Sequence, residues 1–247
     1  ILALEQSLQQ AAKDERVKGL FVEIGSLKGG SALVSEIRNA FKRFKASGKK
    51  VVFWFISLDT TGYYLASIAD QIMMAPIGDL NIPGPVINMM YFSDAIKKIG
   101  VDIELVKLGK YKLAVEPFVS NKMSPEAKEM YTLLEETIRS TLVTDIAQSF
   151  KKNGKKSQTT TKVFQWFEQS LFNSEQAHEQ GLVDQLIYLD DAKKQMEASF
   201  SGKLCNLETY QQLIGSSFQL FTEQDGIAVI DAIGKIDLVE KHIYSRS

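Results

Sequence analysis

The sequence predicts an α/β protein with a parallel core sheet flanked by helices. Short, nearly continuous apolar runs alternate with amphipathic segments along residues 2–75. A strand buried on both faces carries such a run, and right-handed helical crossovers connect parallel strands. The chain has 247 residues, 45% of them hydrophobic, which is enough to bury a sizeable core.

The first elements follow from this alternation. Leu4 and Leu8 share one face of a first helix, and Gly48 ends the second helix. Val51 opens the most apolar run of the chain, which has the length of a strand. We predict helices over residues 2–14, 31–46 and 63–69, and strands over residues 19–24, 51–56 and 71–75.

Proline and glycine then interrupt the pattern, because residues 76–86 contain three prolines and two glycines. Ser124 and Pro125 form a strong helix start, with a capping serine and a proline at the first helical position. Gly181 is placed as the end of another helix. We predict helices over residues 89–98, 124–152, 163–169, 174–180 and 190–200, strands over 101–108 and 183–188, and irregular structure over 109–121.

The domain organisation predicted from these elements has three parts. Residues 1–200 form a first unit, and the polar, interrupted residues 201–225 form a connector. Residues 227–230 (Ile-Ala-Val-Ile) open a new buried strand about twenty residues before the last residue. We therefore expect a truncated second unit over residues 226–247.

Composition excludes several classes of function. The net charge of -1, with scattered charges, is not the basic footprint of a nucleic-acid binder. The single cysteine, Cys205, excludes an internal disulfide and a cysteine-based metal cluster. No run reaches the roughly 18 apolar residues of a spanning helix. The chain begins at Ile1 rather than methionine, so we expect a membrane anchor, leader or first strand to lie outside it.

Two turns that follow predicted strands are candidate sites. Gly29 and Gly30 precede a helix, where bare N–H groups can bind an oxyanion or a phosphate, although a tight turn is the more common explanation of such a pair. No further glycines complete a dinucleotide or phosphate loop. Thr60 and Thr61 begin another helix, and we interpret them as helix capping because internal threonines are poor nucleophiles.

Lys112 is the candidate catalytic residue. It lies in the irregular stretch 109–118 beside Tyr111 and Leu113. Burial in apolar surroundings disfavours a lysine ammonium, and a neutral lysine can act as general base to a serine hydroxyl. A surface lysine on a loop is the alternative. The histidines His178 and His242 lie far apart in the sequence and are interpreted as solvated.

The Tyr111-Lys112 pair, followed by Ala-Val-Glu-Pro-Phe at residues 114–118, resembles the catalytic-lysine motif of the signal peptide peptidase A family (protease IV). Leu113 stands where that family often has a shorter residue. Residues 123–126 match the helix start that follows the motif. The resemblance implies a fold of the Clp protease and crotonase type. Residues 62–72 and 174–184 also resemble sequence segments found in that superfamily.

The nucleophile departs from the family pattern. Single-unit members have a serine before Gly-Gly-Tyr, where this chain has Thr60 and Thr61 before Gly62. The resemblance then implies the long tandem form, in which the first unit keeps the lysine and the second keeps the serine. Lys112 would be the general base, the serine would lie beyond Ser247, and Gly29-Gly30 would have a structural role.

The same resemblance implies a partner set and a location. We expect signal peptides as substrates, a homo-oligomer (a tetramer), and a bacterial inner-membrane protein that faces the periplasm and is attached through a segment absent from this chain. No metal, cofactor or nucleic acid is expected. Two alternatives remain: a non-catalytic scaffold domain, in which Lys112 is dispensable, and a crotonase-like acyl-coenzyme A enzyme, for which no nucleotide groove is evident.

Overall fold

The computed structural model describes residues 2–25, 27, 29–105, 108–153, 159–215 and 226–232. Its helices are α1 Leu2–Lys13, α2 Ser31–Lys45, α3 Thr60–Ala66, α4 Ser93–Lys98, α5 Glu116–Val119, α6 Pro125–Lys152, α7 Thr160–Gln169, α8 Ser174–Glu179, α9 Leu189–Phe200 and α10 Leu207–Gly215. Its strands are β1 Val17–Ile24, β2 Lys50–Asp59, β3 Gln71–Asn81, β4 Leu171–Asn173, β5 Gln185–Leu186, β6 Lys203–Asn206 and β7 Gly226–Ala232.

The described strands form one seven-stranded sheet in the order β4-β3-β2-β1-β7-β6, with β5 paired to β3. Every pairing is parallel except that of β3 with β4. The α/β class with a parallel core sheet flanked by helices is therefore confirmed.

The central strands are buried because their apolar runs are nearly continuous. In β2, Phe53 and Phe55 are fully buried, and Phe21 of β1 pairs with Val52 of β2. Helix α2 covers this sheet with an apolar stripe, and its Phe41 ring meets Phe53 edge-on at 5.4 Å. Helix α2 and strands β1 and β2 thus form where the sequence predicts them.

Strand β3 is longer than predicted, because it continues through Pro76 to Asn81. Its pairing with β2 shifts register between Phe55 and Ser57, and proline is tolerated at such an irregularity. Gly78 is required there, since a Cβ would lie only 1.8 Å from the carbonyl oxygen of Ile56. The sequence pattern ended the strand at its first proline and missed this extension.

Two other predictions are corrected. Residues 101–105 are irregular rather than a strand, and Val101 and Ile103 are exposed, so no sheet supports them within the described part of the chain. The predicted strand over 183–188 is reduced to the two residues of β5.

The chain divides into two compact units: unit 1 comprises residues 1–83 and 146–247, and unit 2 comprises residues 84–145. This division differs from the boundaries near 200 and 226 that the sequence suggested. The stretch interpreted as a connector contains β6 and α10, and β7 lies between β1 and β6 in the sheet of unit 1. The start of a further unit near residue 226 stays a prediction.

An aromatic cluster in unit 1 supports the first turn of α3. The Trp166 ring lies edge-on to Tyr63 at 6.5 Å and to Phe150 at 5.9 Å, and all three side chains are buried. The Tyr63 hydroxyl donates a hydrogen bond of 2.9 Å to the Leu182 carbonyl. These contacts fix the strand-to-helix turn that carries Thr60.

A buried arginine contacts the C-terminal part of α3. The guanidinium of Arg38 is fully buried and donates to Ser67 Oγ at 2.8 Å and to Ser149 Oγ at 2.7 Å. It also lies over the Tyr64 ring, 4.1 Å from the centroid. This arginine therefore has a structural role in unit 1.

Candidate functional site

Lys112 belongs to unit 2, in the irregular segment between Gly109, whose φ of 99° is left-handed, and helix α5. Its side chain is exposed, whereas the neighbouring Leu113 is buried. Among the described residues, Lys112 has no hydrogen-bond or ion-pair partner. The chain's own described residues thus do not supply the burial that a general base needs.

An open, largely apolar cavity of about 610 Å³ adjoins this lysine within unit 2. Lys112 is part of its wall, and the residues around it are mainly aliphatic or aromatic. The amine is therefore the one charged group of this wall among the residues that the structure describes. The wall includes Leu105, Leu113, Val115, Met130 and Tyr131.

The tyrosine before the lysine is tied to helix α6. The Tyr111 hydroxyl donates a 2.9 Å hydrogen bond to Glu129 Oε2. This bond, together with the negative charge of Glu129, raises the pKa of the Tyr111 hydroxyl. Tyr111 is 56% exposed, so the contact is at the surface.

The acid–proline–phenylalanine part of the motif joins three helices of unit 2. Glu116 is buried and accepts hydrogen bonds from Ser124. The Pro117 carbonyl accepts a 2.7 Å bond from the Phe92 N–H at the start of α4. The Phe118 and Phe92 rings stack with centroids 6.1 Å apart. The sequence identified this motif but not the burial of its carboxylate.

Ser124 and Pro125 begin helix α6 as predicted. The Ser124 Oγ accepts the Ala127 N–H at 3.2 Å, and its carbonyl accepts the Lys128 N–H at 2.9 Å. This is the expected geometry of an N-cap.

The threonines at the expected nucleophile position lie in unit 1, and their interpretation as caps is wrong. Asp59 caps α3, because its carboxylate accepts the Gly62 N–H at 2.7 Å. Thr60 is the first helical residue, and its hydroxyl donates to the Pro83 carbonyl at 2.6 Å. Asp59 rather than a threonine is the N-cap because it is the residue in extended conformation just before the helix.

Gly29 and Gly30 also lie in unit 1, at the turn between β1 and α2. Gly30 is the N-cap of α2 and its carbonyl accepts the Val34 N–H at 3.3 Å. A Cβ on Gly29 would meet the Leu33 side chain at 2.4 Å. Their structural role stays a prediction that this turn geometry supports.

The remaining candidate residue that the structure describes, His178, and the single cysteine, Cys205, lie in unit 1. His178 is exposed, and its Nδ1 lies 3.3 Å from the Val183 carbonyl in unit 1. Partial burial raises the pKa of the Cys205 thiol. His242 and Ser247 lie outside the described residues. In the part of the chain that the structure describes, no group of three or more acidic, histidine or cysteine residues is placed to hold a metal ion.

Residues 43–201, which include the lysine segment, match the model of peptidase family S49. The chain belongs to peptidase family S49. The family assignment agrees with the resemblance of the Tyr111-Lys112 motif to that of signal peptide peptidase A.

Individual relatives of this S49 chain are named proteases. Protease 4 of Haemophilus influenzae is 30% identical over 242 residues, which cover 93% of this chain and 39% of that protein. The chloroplastic serine protease SPPA of Arabidopsis thaliana is 26% identical over 244 residues, which cover 96% of this chain and 35% of that protein. The chain thus spans less than two fifths of the length of these relatives.

Among solved structures, a membrane-bound stomatin-specific protease is 13% identical, with 72% of this chain and 84% of that chain covered and a TM-score of 0.39.

No helix within the described ranges is both long and apolar enough to cross a membrane.

Proposed function

We propose that this chain is the lysine-bearing part of a serine endopeptidase that uses a Ser-Lys dyad. The observation that carries the proposal is the place of Lys112, which lines an apolar cavity of unit 2 within the family's lysine motif. Membership of peptidase family S49 supports peptide hydrolysis as the reaction.

In the proposed reaction, Lys112 acts as general base to a serine supplied by another unit. The serine Oγ attacks the peptide carbonyl carbon while the lysine amine takes its proton. The resulting ammonium gives this proton to the leaving amine as the peptide C–N bond breaks. Water then attacks the ester of the acyl-enzyme, releases the carboxylic acid and restores the serine.

The exposure of Lys112 explains why a second unit is part of the proposal. Burial in apolar surroundings favours the neutral amine that can accept a proton. A partner that covers the cavity of unit 2 would exclude water from Lys112 and bring the serine to it. The fragment by itself is therefore expected to be inactive.

An apolar cavity suits apolar peptide segments. We propose that the substrates are signal peptides left in or near the membrane, whose central regions are apolar. The enzyme would act at the bacterial inner membrane with its catalytic part facing the periplasm, and would be attached through a segment outside this chain.

Exposed apolar side chains of unit 2 support a homo-oligomer, proposed as a tetramer. Exposed apolar side chains are available to be buried in a protein–protein contact. Several apolar residues of unit 2 are each more than 60% exposed: Val86, Met90, Ile99, Leu108 and Leu133. The same surface suits the scaffold alternative, so the activity of Lys112 has to be measured directly.

The decisive experiment compares Lys112→Met with the unchanged full-length protein on an apolar peptide substrate. Methionine keeps an apolar side chain of similar length but removes the amine. We expect kcat/KM to fall by about 100-fold or more, the usual contribution of a general base. Lys110→Met is the matched control, because Lys110 is an exposed lysine of the same segment that does not line the cavity.

Circular dichroism and size-exclusion chromatography would establish that folding and oligomer size are unchanged in both variants. If Lys112→Met hydrolyses the peptide as fast as Lys110→Met, the dyad is wrong and the scaffold function takes its place.

A further inference from the structure

Glu116 is a buried carboxylate four residues after Lys112, with 7% of its surface exposed. Its Oε1 accepts the Ser124 N–H at 2.8 Å, and its Oε2 accepts the Ser124 hydroxyl at 2.7 Å. Buried acids are rare unless their charge is compensated. The two short bonds to one residue indicate a defined orientation of this carboxylate.

The Tyr91 hydroxyl lies 3.5 Å from Glu116 Oε1, and further compensation of the charge comes from the start of a long helix. Ser124 caps α6, and its Oγ accepts the Ala127 N–H while it donates to Glu116. The helix has 28 residues, and a negative charge at its N-terminus is stabilised by the unpaired N–H groups and the helix dipole. Glu116 is thereby anchored to α6.

The backbone of Glu116 links this anchored carboxylate to the segment that contains Lys112. The Glu116 N–H donates a 3.0 Å bond to the carbonyl of Leu113, the residue bonded directly to Lys112. Leu113 is itself buried beside the cavity. One peptide bond and one hydrogen bond thus separate the lysine backbone from the anchored glutamate.

The other side of the lysine has a weaker tether. Tyr111 donates to Glu129 of α6, but this bond lies at the surface. An exposed hydrogen bond competes with water and restrains a segment less than a buried one. The two glutamates therefore form a pair for comparison. Each links the segment that contains Lys112 to helix α6, but only Glu116 is buried.

We propose that Glu116 is a positioning residue, which sets the place of Lys112 by holding the Leu113–Glu116 turn against the first turn of α6. This inference rests on the proposed function of Lys112 as general base. Glu116 itself does not contact the substrate in this assignment. Its carboxylate fixes the backbone from which the lysine extends.

The test uses Glu116→Gln and Glu129→Gln in the full-length protein. Glutamine keeps the size of the side chain but lacks the charge and one of the two acceptor oxygens. We expect Glu116→Gln to lower kcat about 100-fold with KM within about threefold, since small misplacements of a reacting group carry such costs. Glu129→Gln keeps an acceptor for Tyr111 and is expected to stay within about threefold of the unchanged protein.

Two substitutions of Ser124 provide a second comparison, with a smaller expected effect on kcat. Ser124→Thr keeps the hydroxyl and should retain activity, whereas Ser124→Ala removes one hydrogen bond to Glu116 and should lower kcat. Hydrogen exchange of residues 109–116 gives a readout without catalysis: it should be faster in Glu116→Gln and Ser124→Ala than in Glu129→Gln.

The failures of the two proposals are distinguishable. Activity in Lys112→Met would refute the dyad whatever Glu116 does. If Lys112→Met is inactive while Glu116→Gln and Ser124→Ala keep kcat within threefold, the positioning role is overturned. It is also overturned if the loss of activity only follows the unfolded fraction measured by circular dichroism.

Discussion

Unit 1 buries most of its large apolar side chains, whereas unit 2 leaves many of its own in contact with solvent. In unit 1, Phe53, Phe55 and Trp166 are at most 1% exposed. In unit 2, Leu108 and Leu133 are 83% and 65% exposed. Unit 1 therefore has the core expected of a self-supporting fold, while the exposed apolar side chains of unit 2 are the basis of the homo-oligomer proposed above.

The difference places the stabilising core and the proposed site in different units of the chain. The sheet and its aromatic cluster lie in unit 1, while Lys112, its cavity and its glutamate anchor lie in unit 2. Substitutions in unit 1 should mainly change the free energy of unfolding. Substitutions on the surface of unit 2 should mainly change association and activity.

The largest expected effect is that of Trp166→Ala in unit 1. The substitution removes the ring that meets both Tyr63 and Phe150 and leaves a cavity. We expect a loss of about 3–5 kcal/mol in the free energy of unfolding. Chemical denaturation followed by circular dichroism measures it, and a loss below about 1 kcal/mol would contradict the central role given to this cluster.

A smaller, pH-dependent effect is expected for Asp14→Asn in unit 1. Arg16 hydrogen-bonds to the Asp14 carboxylate at 2.9 and 2.7 Å and holds the pKa of Asp14 below its usual range. A lowered folded-state pKa stabilises the fold above the unfolded-state pKa, and this contribution is lost as the pH falls through the folded-state value.

The Asp14→Asn variant should therefore be less stable than the unchanged protein at pH 7 by under about 1 kcal/mol, because the arginine is partly exposed. The difference should shrink as the pH falls below about 4. Denaturation curves at pH 7, 5 and 3 test this, and a difference that grows toward acid would contradict the sign.

The smallest effect on stability is expected on the surface of unit 2. Leu133→Gln should change the free energy of unfolding by no more than about 0.5 kcal/mol, since the side chain is mostly exposed and glutamine is a good helix former. We expect it to weaken self-association of the full-length protein, measured by analytical ultracentrifugation. Leu2→Gln, at a similarly exposed helical position of unit 1, is the matched control and should leave association unchanged.

Most of the fold was predictable where the signal lies in the pattern of neighbouring residues. The buried strands β1 and β2 follow from their apolar runs, and α6 begins at Pro125 after the predicted cap, Ser124. The extension of β3 through Pro76 was not predictable, because it depends on the register with β2 and on the space that Gly78 leaves for Ile56.

The candidate site was predictable as a motif but not as an environment. Tyr111 and Lys112 identify the family and the candidate base, yet nothing in their neighbours along the chain indicates that both side chains are exposed. Glu116 looks like an ordinary charged residue in the sequence. Its burial depends on Ser124, eight residues away, which the chain brings back through α5.

The sequence by itself determined the α/β class, the start of α6 and the family motif that contains the candidate lysine, because apolar periodicity, helix capping and a motif are properties of neighbouring residues. Tertiary structure alone decided that β7 lies beside β1, that Asp59 rather than Thr60 caps α3, and that Lys112 is exposed while Glu116 is buried. Strand order, solvent exposure and the partner of a buried charge depend on which segments pack together, and that choice is made by the whole chain.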